Sequence, residues 1–166
     1  MGTQYRAHCP KCGYNTNISL GVGFAYPQVY ADVQEKGKRG ELGDDIRDFF
    51  AGHPDGIIDP EPVILQCEKC GEYDYGSSLR MYVPKKSKKL RNVVRGIWST
   101  AMPFHNAEYI PPGEFENNYK LYKEHLHFCQ KCGGNMKMIS EQHINKLKCP
   151  RCDDTFLTAE ICALWD

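Results

Sequence analysis

The sequence predicts a small α+β fold with two β units and a helical insertion in the first of them. Eight of the nine cysteines fall into four C-x-x-C pairs, and short stretches beside the pairs alternate polar with apolar residues, as strands do. Residues 27–52 instead carry apolar residues at helical spacing. Because long polar stretches leave only a modest apolar core, we expect bound metal ions to supply much of the stability.

Each C-x-x-C pair forms a tight turn that directs two thiolates at one cation. We number the pairs in chain order: Cys9/Cys12, Cys67/Cys70, Cys129/Cys132 and Cys149/Cys152. A left-handed conformation is expected at the residue after each pair, which is Gly13, Gly71, Gly133 or Asp153. A basic residue precedes the second cysteine of every pair and lowers the cost of bringing thiolates together; these residues are Lys11, Lys69, Lys131 and Arg151.

Four pairs make two four-cysteine sites, and chain spacing predicts their membership. The third and fourth pairs read C-x16-C between them, within the usual spacing of a structural zinc site, so site 2 is predicted to be Cys129, Cys132, Cys149 and Cys152. Site 1 then comprises Cys9, Cys12, Cys67 and Cys70, with an insertion of 54 residues. The competing arrangement joins the second pair to the third across 58 residues and leaves the first and fourth pairs to each other.

The motifs CPKCGY, CEKCG, CQKCGG and CPRCD resemble those of zinc-ribbon proteins. More loosely, the layout resembles uncharacterised bacterial proteins with two zinc ribbons. The resemblance implies two structural Zn²⁺ ions and no particular activity, because ribbons serve many functions. Three alternatives stay open: a rubredoxin-like iron site suggested by CGY, a redox role for C-x-x-C, and a histidine ligand (His8 or His127) in place of a cysteine.

The predicted domains follow from this pairing. Residues 1–84 form an N-terminal zinc ribbon with a helical insert at about 27–52, comprising helices at 27–36 and 44–51 separated by the glycine-rich 37–43. Residues 85–116 are a basic and aromatic, proline-rich linker, and residues 117–166 are a C-terminal zinc ribbon. Strands are predicted at 61–67 and 72–84 beside the second pair. At the C-terminus, Cys162 is expected to be buried, with Phe156, Ile161, Leu164 and Trp165 packed on the ribbon.

Composition and motifs narrow the function. Lys plus Arg and Asp plus Glu each number 21, so the net charge is zero and only local patches can favour nucleic acid. A signal peptide and a transmembrane stretch are not apparent, which predicts a cytoplasmic protein with no membrane partner. Common catalytic motifs are missing too, and a four-thiolate metal site has no open position for chemistry. The acidic stretch 41–61 is expected to be solvated or to pair with the basic stretch 80–95.

We therefore predict a non-enzymatic structural-zinc protein that binds another protein, with residues 96–115 presenting a surface and no small-molecule substrate. The alternative is a nucleic-acid-binding zinc ribbon that uses the basic segment 80–95 to contact phosphates, with Tyr82, Trp98 or Phe104 stacking on bases. Its contact residues would be Arg80, Lys85, Lys86, Lys88, Lys89, Arg91, Arg95 and Trp98. An enzyme or a rubredoxin-like iron protein is the remote alternative.

Overall fold

The computed structural model describes residues 2–85, 96–97 and 108–165. In these ranges the chain forms three α-helices, two short 3₁₀ turns (Gly23–Ala25 and Glu141–Lys146) and mostly antiparallel strands. In chain order the elements are β1 (Gly2–His8), β2 (Asn15–Leu20), α1 (Tyr26–Arg39), α2 (Asp44–Gly52), β3 (Ile57–Ile58), β4 (Pro62–Cys67), β5 (Tyr73–Ser77), β6 (Met81–Pro84), β7 (Gly96–Ile97), β8 (Glu108–Tyr109), α3 (Pro112–Asn118), β9 (Tyr119–Lys123), β10 (His127–Phe128), β11 (Asn135–Ile139) and β12 (Thr158–Trp165).

The chain divides into two compact units, each built from segments distant in sequence. The cysteine unit comprises residues 1–23, 61–78 and 126–166, and the helical unit comprises 24–60 and 79–125. The division predicted at residues 84 and 116 does not coincide with these units. The predicted boundaries lie where the composition of the chain changes, whereas the strands pair across long separations in sequence.

The cysteine unit contains two antiparallel sheets. One has the order β12-β1-β2 and the other β10-β11-β4-β5. β1 therefore pairs with the last strand of the chain, from Gly2 opposite Trp165 to His8 opposite Thr158. β4 pairs with β11, from Cys67 opposite Met136 to Ile64 opposite Ile139. The buried core of this unit consists of Ala7, Cys9, Ile18, Ile64, Ile144, Leu147, Cys149 and Leu157.

The helical unit packs α1 and α2 with the sheet β3-β6-β9. Ile46, Phe49 and Phe50 of α2 are buried, as their helical spacing predicts. A second cluster of the same unit gathers aromatic side chains, including Tyr30, Tyr82 and Phe115. Gln34 is buried in α1, and its amide group exchanges two hydrogen bonds with the backbone of Ile58.

The helix α1 is longer than the sequence predicts. Pro27 lies in its first turn, as expected, but the helix continues through Gly37 to Arg39 and is capped by Gly40, which has a φ of 79°. A Cβ at Gly37 would lie 2.8 Å from the ring of Phe50. Gly37 is thus a point of close packing between α1 and α2, which accounts for a glycine inside a helix.

The strand predicted at 72–84 is two strands. Leu79 between them adopts a left-handed conformation with a φ of 53°. The N–H of Ser78 donates to the carbonyl of Glu61, and the N–H of Leu79 donates to that of Asp59. The left-handed residue ends β5 before β6 begins, and a non-glycine residue at this position gave no sequence signal for the break.

The C-terminal prediction is mostly wrong. Phe156, Ile161 and Leu164 are 56%, 58% and 72% exposed, and Cys162 is exposed as well. β12 is an edge strand, so a strand that was expected to cover the ribbon instead extends its sheet. Trp165 alone of the four apolar side chains is half-buried, and its indole occupies the space beside Gly2.

In the described part of the chain, every helix is too short or too polar to cross a membrane.

Candidate metal centres

The four C-x-x-C pairs adopt closely similar turns. In each, the N–H of the residue after the second cysteine donates to the carbonyl of the first cysteine, at distances of 2.8–3.1 Å. The N–H of the first cysteine returns to a carbonyl beyond the turn: Cys9 to Tyr14, Cys67 to Glu72, Cys129 to Gly134 and Cys149 to Thr155. The fourth turn is one residue longer than the other three.

The residue after each pair is left-handed, which confirms the prediction. The φ angles are 70° at Gly13, 74° at Gly71, 67° at Gly133 and 53° at Asp153. Glycine adopts this conformation without steric cost, and aspartate is among the few other residues that tolerate it. The departure at Asp153 therefore preserves the turn.

The structure groups all eight paired cysteines into two sets of four, but the predicted membership is wrong. The outer centre is formed by the first and fourth pairs, Cys9, Cys12, Cys149 and Cys152. The inner centre is formed by the second and third pairs, Cys67, Cys70, Cys129 and Cys132. Predicted site 1 and predicted site 2 are thus each split between the two centres, and the competing arrangement is the one observed.

Strand pairing explains the correction. β1, which leads into the first pair, lies beside β12, which follows the fourth pair. β4, which leads into the second pair, lies beside β11, which follows the third. Chain spacing was a weak guide because the entropic cost of closing a loop rises only slowly with its length, by about 0.6 kcal/mol per doubling.

The sulfur atoms are spaced as a metal site requires. In the outer centre, the Sγ atoms of Cys9 and Cys152 are 3.6 Å apart and those of Cys12 and Cys149 are 3.5 Å apart. In the inner centre, Cys70 lies 3.7 Å from Cys129 and 3.4 Å from Cys132. A tetrahedral ion with bonds of about 2.3 Å to sulfur would place its ligands about 3.8 Å apart. A disulfide requires about 2.05 Å, and all these cysteines are free.

Backbone N–H groups of the turns favour thiolate at the first cysteines of the first two pairs, Cys9 and Cys67. The N–H groups of Cys70 and Lys69 hydrogen-bond to Cys67 Sγ and, against the effect of burial, lower its pKa to about 6. Burial also opposes ionisation of Cys9, but the N–H groups of Cys12 and Lys11 bring the pKa of that thiol to about 6. A sulfur ionised near neutral pH is the form that binds metal.

The second cysteines of the first two pairs, Cys12 and Cys70, behave in the opposite way. The N–H of Tyr14 lowers the pKa of Cys12, but burial and the neighbouring cysteine sulfurs outweigh it and raise the pKa to about 11. For Cys70, the N–H of Glu72 is similarly outweighed, and the pKa rises to about 12. Four sulfurs this close cannot all ionise without a counter-charge, which a divalent cation supplies.

A lysine–carboxylate pair links the two turns of each centre. Lys131 Nζ of the third pair lies 2.8 Å from Glu72 Oε2, which follows the second pair. Lys11 of the first pair likewise contacts Asp154, which follows the fourth. These basic residues were predicted to ease thiolate repulsion, and the structure adds that two of them join the turns across a centre.

The two centres differ in exposure. Each has two buried cysteines, Cys9 and Cys149 in the outer centre and Cys67 and Cys129 in the inner. The remaining outer cysteines are half-buried, whereas Cys70 of the inner centre is exposed. Solvent therefore reaches the inner centre more readily.

Histidine does not enter either group, although His8 and His127 were considered as ligands. His127 Nε2 lies 3.3 Å from the carbonyl oxygen of Ser78. Among the described residues, the two cysteine groups are the clusters with metal-binding geometry.

Of the eight predicted nucleic-acid contacts, Arg80 and Lys85 fall within the described residues. Arg80 Nη2 lies 3.0 Å from Oδ2 of the buried Asp59, so Arg80 is part of the helical unit's packing. This ion pair joins the acidic stretch to the basic stretch at one point, as the sequence suggested. Lys86, Lys88, Lys89, Arg91, Arg95 and Trp98 lie outside the described residues, as does Phe104, and Tyr82 is buried.

No family model, curated protein or solved structure matches the chain.

Proposed function

We propose that the chain is a non-enzymatic protein-interaction module organised by two structural Zn²⁺ ions, one in each centre. The observation that carries this proposal is the grouping of eight sulfurs into two sets, each with all four atoms within 4.8 Å of one another. Four thiolates are the commonest donor set of structural zinc, and they leave no position for a substrate. The hairpin turns at the cysteines support assignment to the zinc-ribbon class, and reduced thiols suit a cytoplasmic location.

Exposed apolar side chains of the cysteine unit support a protein partner. Six large apolar residues of this unit are between 45% and 72% exposed: Tyr75, Leu126, Phe128, Phe156, Ile161 and Leu164. Two of them, Ile161 and Leu164, lie on the edge strand β12. Exposed apolar side chains and unpaired strand edges both promote aggregation unless a partner covers them. Their combination is therefore typical of an interaction surface.

Metal analysis tests the first half of the proposal. Purified protein should contain two zinc atoms per chain, and removal of zinc should unfold the cysteine unit. A red protein containing iron would favour the rubredoxin-like alternative. Fewer than two metal atoms per chain in freshly purified protein would contradict the proposal.

Binding experiments test the second half. The double variant Ile161→Ser/Leu164→Ser should keep two metal atoms but lose partners that wild-type protein captures reproducibly. The matched control, Thr158→Ser, alters an exposed residue of the same strand and should keep them. The nucleic-acid alternative makes a different prediction. Affinity for single-stranded RNA or DNA would fall with salt and would be lost on neutralising Lys85, Lys86, Lys88 and Lys89.

A further inference from the structure

A cavity of about 350 Å³ lies within the helical unit, formed by α2, β6 and β9. From α2 and the residue after it, one helix face contributes Asp45, Asp48, Phe49, Gly52 and His53. The strands contribute Met81, Tyr122 and Lys123. This size falls at the lower end of the range for small-molecule sites. The lining combines polar and apolar surface in similar amounts.

The floor and one wall of the cavity are apolar and aromatic. Met81 is fully buried and Phe49 nearly so. The rings of Phe49, His53 and Tyr122 contact one another, with centroid separations of 4.6–5.6 Å. A Cβ built at Gly52 meets no atom within 4 Å, so space is open beside the helix at this point.

A β-bulge places Tyr122 in this wall. Met81 pairs with Lys123 and the next residue of β6, Tyr82, pairs with Leu121, so Tyr122 has no opposite residue on β6. Bulges of this kind redirect a side chain and are common beside functional sites. Tyr122 is 54% exposed although its ring packs on His53 and Phe49, so part of the residue stays accessible to a ligand.

The polar part of the cavity lining carries more carboxylates than ammonium groups, which favours a positively charged ligand. It contains two carboxylates, those of Asp45 and Asp48, and one ammonium, that of Lys123. Arg47 donates hydrogen bonds to Asp48 at 3.0 and 3.2 Å, so the charge of Asp48 is already partly compensated. Asp45 Oδ2 lies 3.0 Å from His125 Nδ1, which fixes the Asp45 carboxylate at the cavity.

We propose that this cavity binds a small organic ammonium ion, a primary amine attached to a flat apolar group. The ammonium would donate hydrogen bonds to Asp45, and the apolar group would pack against Tyr122, His53 and the open space at Gly52. Aromatic faces attract cations and carboxylates accept charge-assisted hydrogen bonds, so both parts of the lining select the same ligand class. The sequence predicted no small-molecule substrate. The residues that line the cavity come from three separate parts of the chain, at positions 45–53, 81 and 122–123, so no short motif indicates the site. The proposal is independent of the zinc centres.

Benzylamine is a suitable probe, and its binding to the metal-loaded full chain can be followed by two-dimensional NMR. Resonances of Gly52, His53 and Tyr122 should shift, with a dissociation constant in the millimolar range. Benzyl alcohol, which lacks the charge, and phenylacetate, which reverses it, should each bind about tenfold more weakly. Equal or tighter binding of phenylacetate would overturn the proposal, since Lys123 rather than Asp45 would then select the ligand.

Two variants and a control locate the site. Asp45→Asn should weaken benzylamine binding about tenfold and Tyr122→Ala about threefold to tenfold. Asp55→Asn, which alters an exposed carboxylate of the same unit outside the cavity, should leave it unchanged. Because Tyr122 is exposed on an edge strand, its variant is expected to fold even if the Asp45 variant does not. Unchanged affinity in the Tyr122 variant would contradict the proposed site.

Discussion

The sulfur of Cys12 lies 3.5 Å from the sulfur of Cys149, although 137 positions separate the two residues in the chain. The contact shows that the outer centre joins the two ends of the chain, while the inner centre joins its second and third C-x-x-C pairs. Loss of the proposed metal ion from either centre should therefore release segments that are far apart in sequence.

The inner centre should lose its metal first. Its Cys70 is exposed, whereas all four outer cysteines are buried or half-buried, so a chelator reaches the inner ion more easily. We expect release about tenfold faster, equivalent to about 1.4 kcal/mol in the barrier. Transfer of zinc to a coloured chelator measures the rate. Two variants allow the release rate of each centre to be measured alone. Cys12→Ser/Cys152→Ser keeps only the inner centre, and Cys70→Ser/Cys132→Ser keeps only the outer centre. Equal rates in these variants would contradict the role of exposure.

Gly134→Ala should weaken the inner centre selectively. A Cβ at this position would lie 3.2 Å from Cys67 Sγ, 3.3 Å from Cys132 Sγ and 3.0 Å from Lys69 Cβ. Relief of this crowding requires the sulfurs to move, at a cost of about 1–2 kcal/mol in metal affinity. Competition with a zinc chelator measures the loss, and Gly113→Ala is the control, since its Cβ would meet no atom within 4 Å. Equal affinities in the two variants would show that the space beside the sulfurs is not restricted.

Arg80→Gln should destabilise the helical unit. The side chain of Asp59 is only 7% exposed, and the substitution removes the guanidinium 3.0 Å from it. With Arg80 itself 35% exposed, the loss should be about 1–3 kcal/mol, below that for a fully buried pair. Native-state hydrogen exchange of α1 and β6 amides reports this change. Arg47→Gln, which breaks only exposed pairs with Asp44 and Asp48, should cost less than about 1 kcal/mol. A larger effect at Arg47 than at Arg80 would contradict this account.

Tyr5 should link stability to alkaline pH. Burial, the hydrogen bond to Glu141 and the charge of that carboxylate raise the pKa of Tyr5 to about 12 from its ordinary value of 10. A raised pKa means that the fold favours the neutral phenol. The contribution of Tyr5 to the free energy of unfolding is therefore complete below pH 10 and is lost as the pH rises toward 12. The unfolding temperatures of wild-type protein and the Tyr5→Phe variant should converge across this pH range. A constant difference between the two temperatures would argue against the raised pKa of Tyr5.

Local features of this fold were predictable from the sequence, and long-range pairing was not. The eight cysteines that form the two clusters, the left-handed residue after each pair and the buried face of α2 follow from short motifs and helical spacing. The membership of the centres depends on which strands pair, and all four pairs carry a basic residue at the same position and nearly the same turn. The partner carboxylates Glu72 and Asp154 distinguish them, but acidic residues are too common near the turns for that signal to be read in advance.

The exposed C-terminal strand has a similar explanation. Ile161 and Leu164 look like core residues by composition, and only the position of β12 at a sheet edge leaves them in solvent. Leu79, which ends β5 with a positive φ, is a residue type that seldom adopts that conformation. In both cases tertiary structure overrode the local pattern.

The metal content of paired cysteine variants tests the nested arrangement most directly. Cys12→Ser/Cys149→Ser removes two ligands from one centre, so the protein should retain one zinc atom per chain. Cys12→Ser/Cys67→Ser removes one ligand from each centre, so both centres should bind zinc more weakly. Both ions should then be lost to a chelator that wild-type protein resists. The opposite result, one zinc retained by Cys12→Ser/Cys67→Ser and none by Cys12→Ser/Cys149→Ser, would contradict the arrangement and restore the pairing expected from chain spacing.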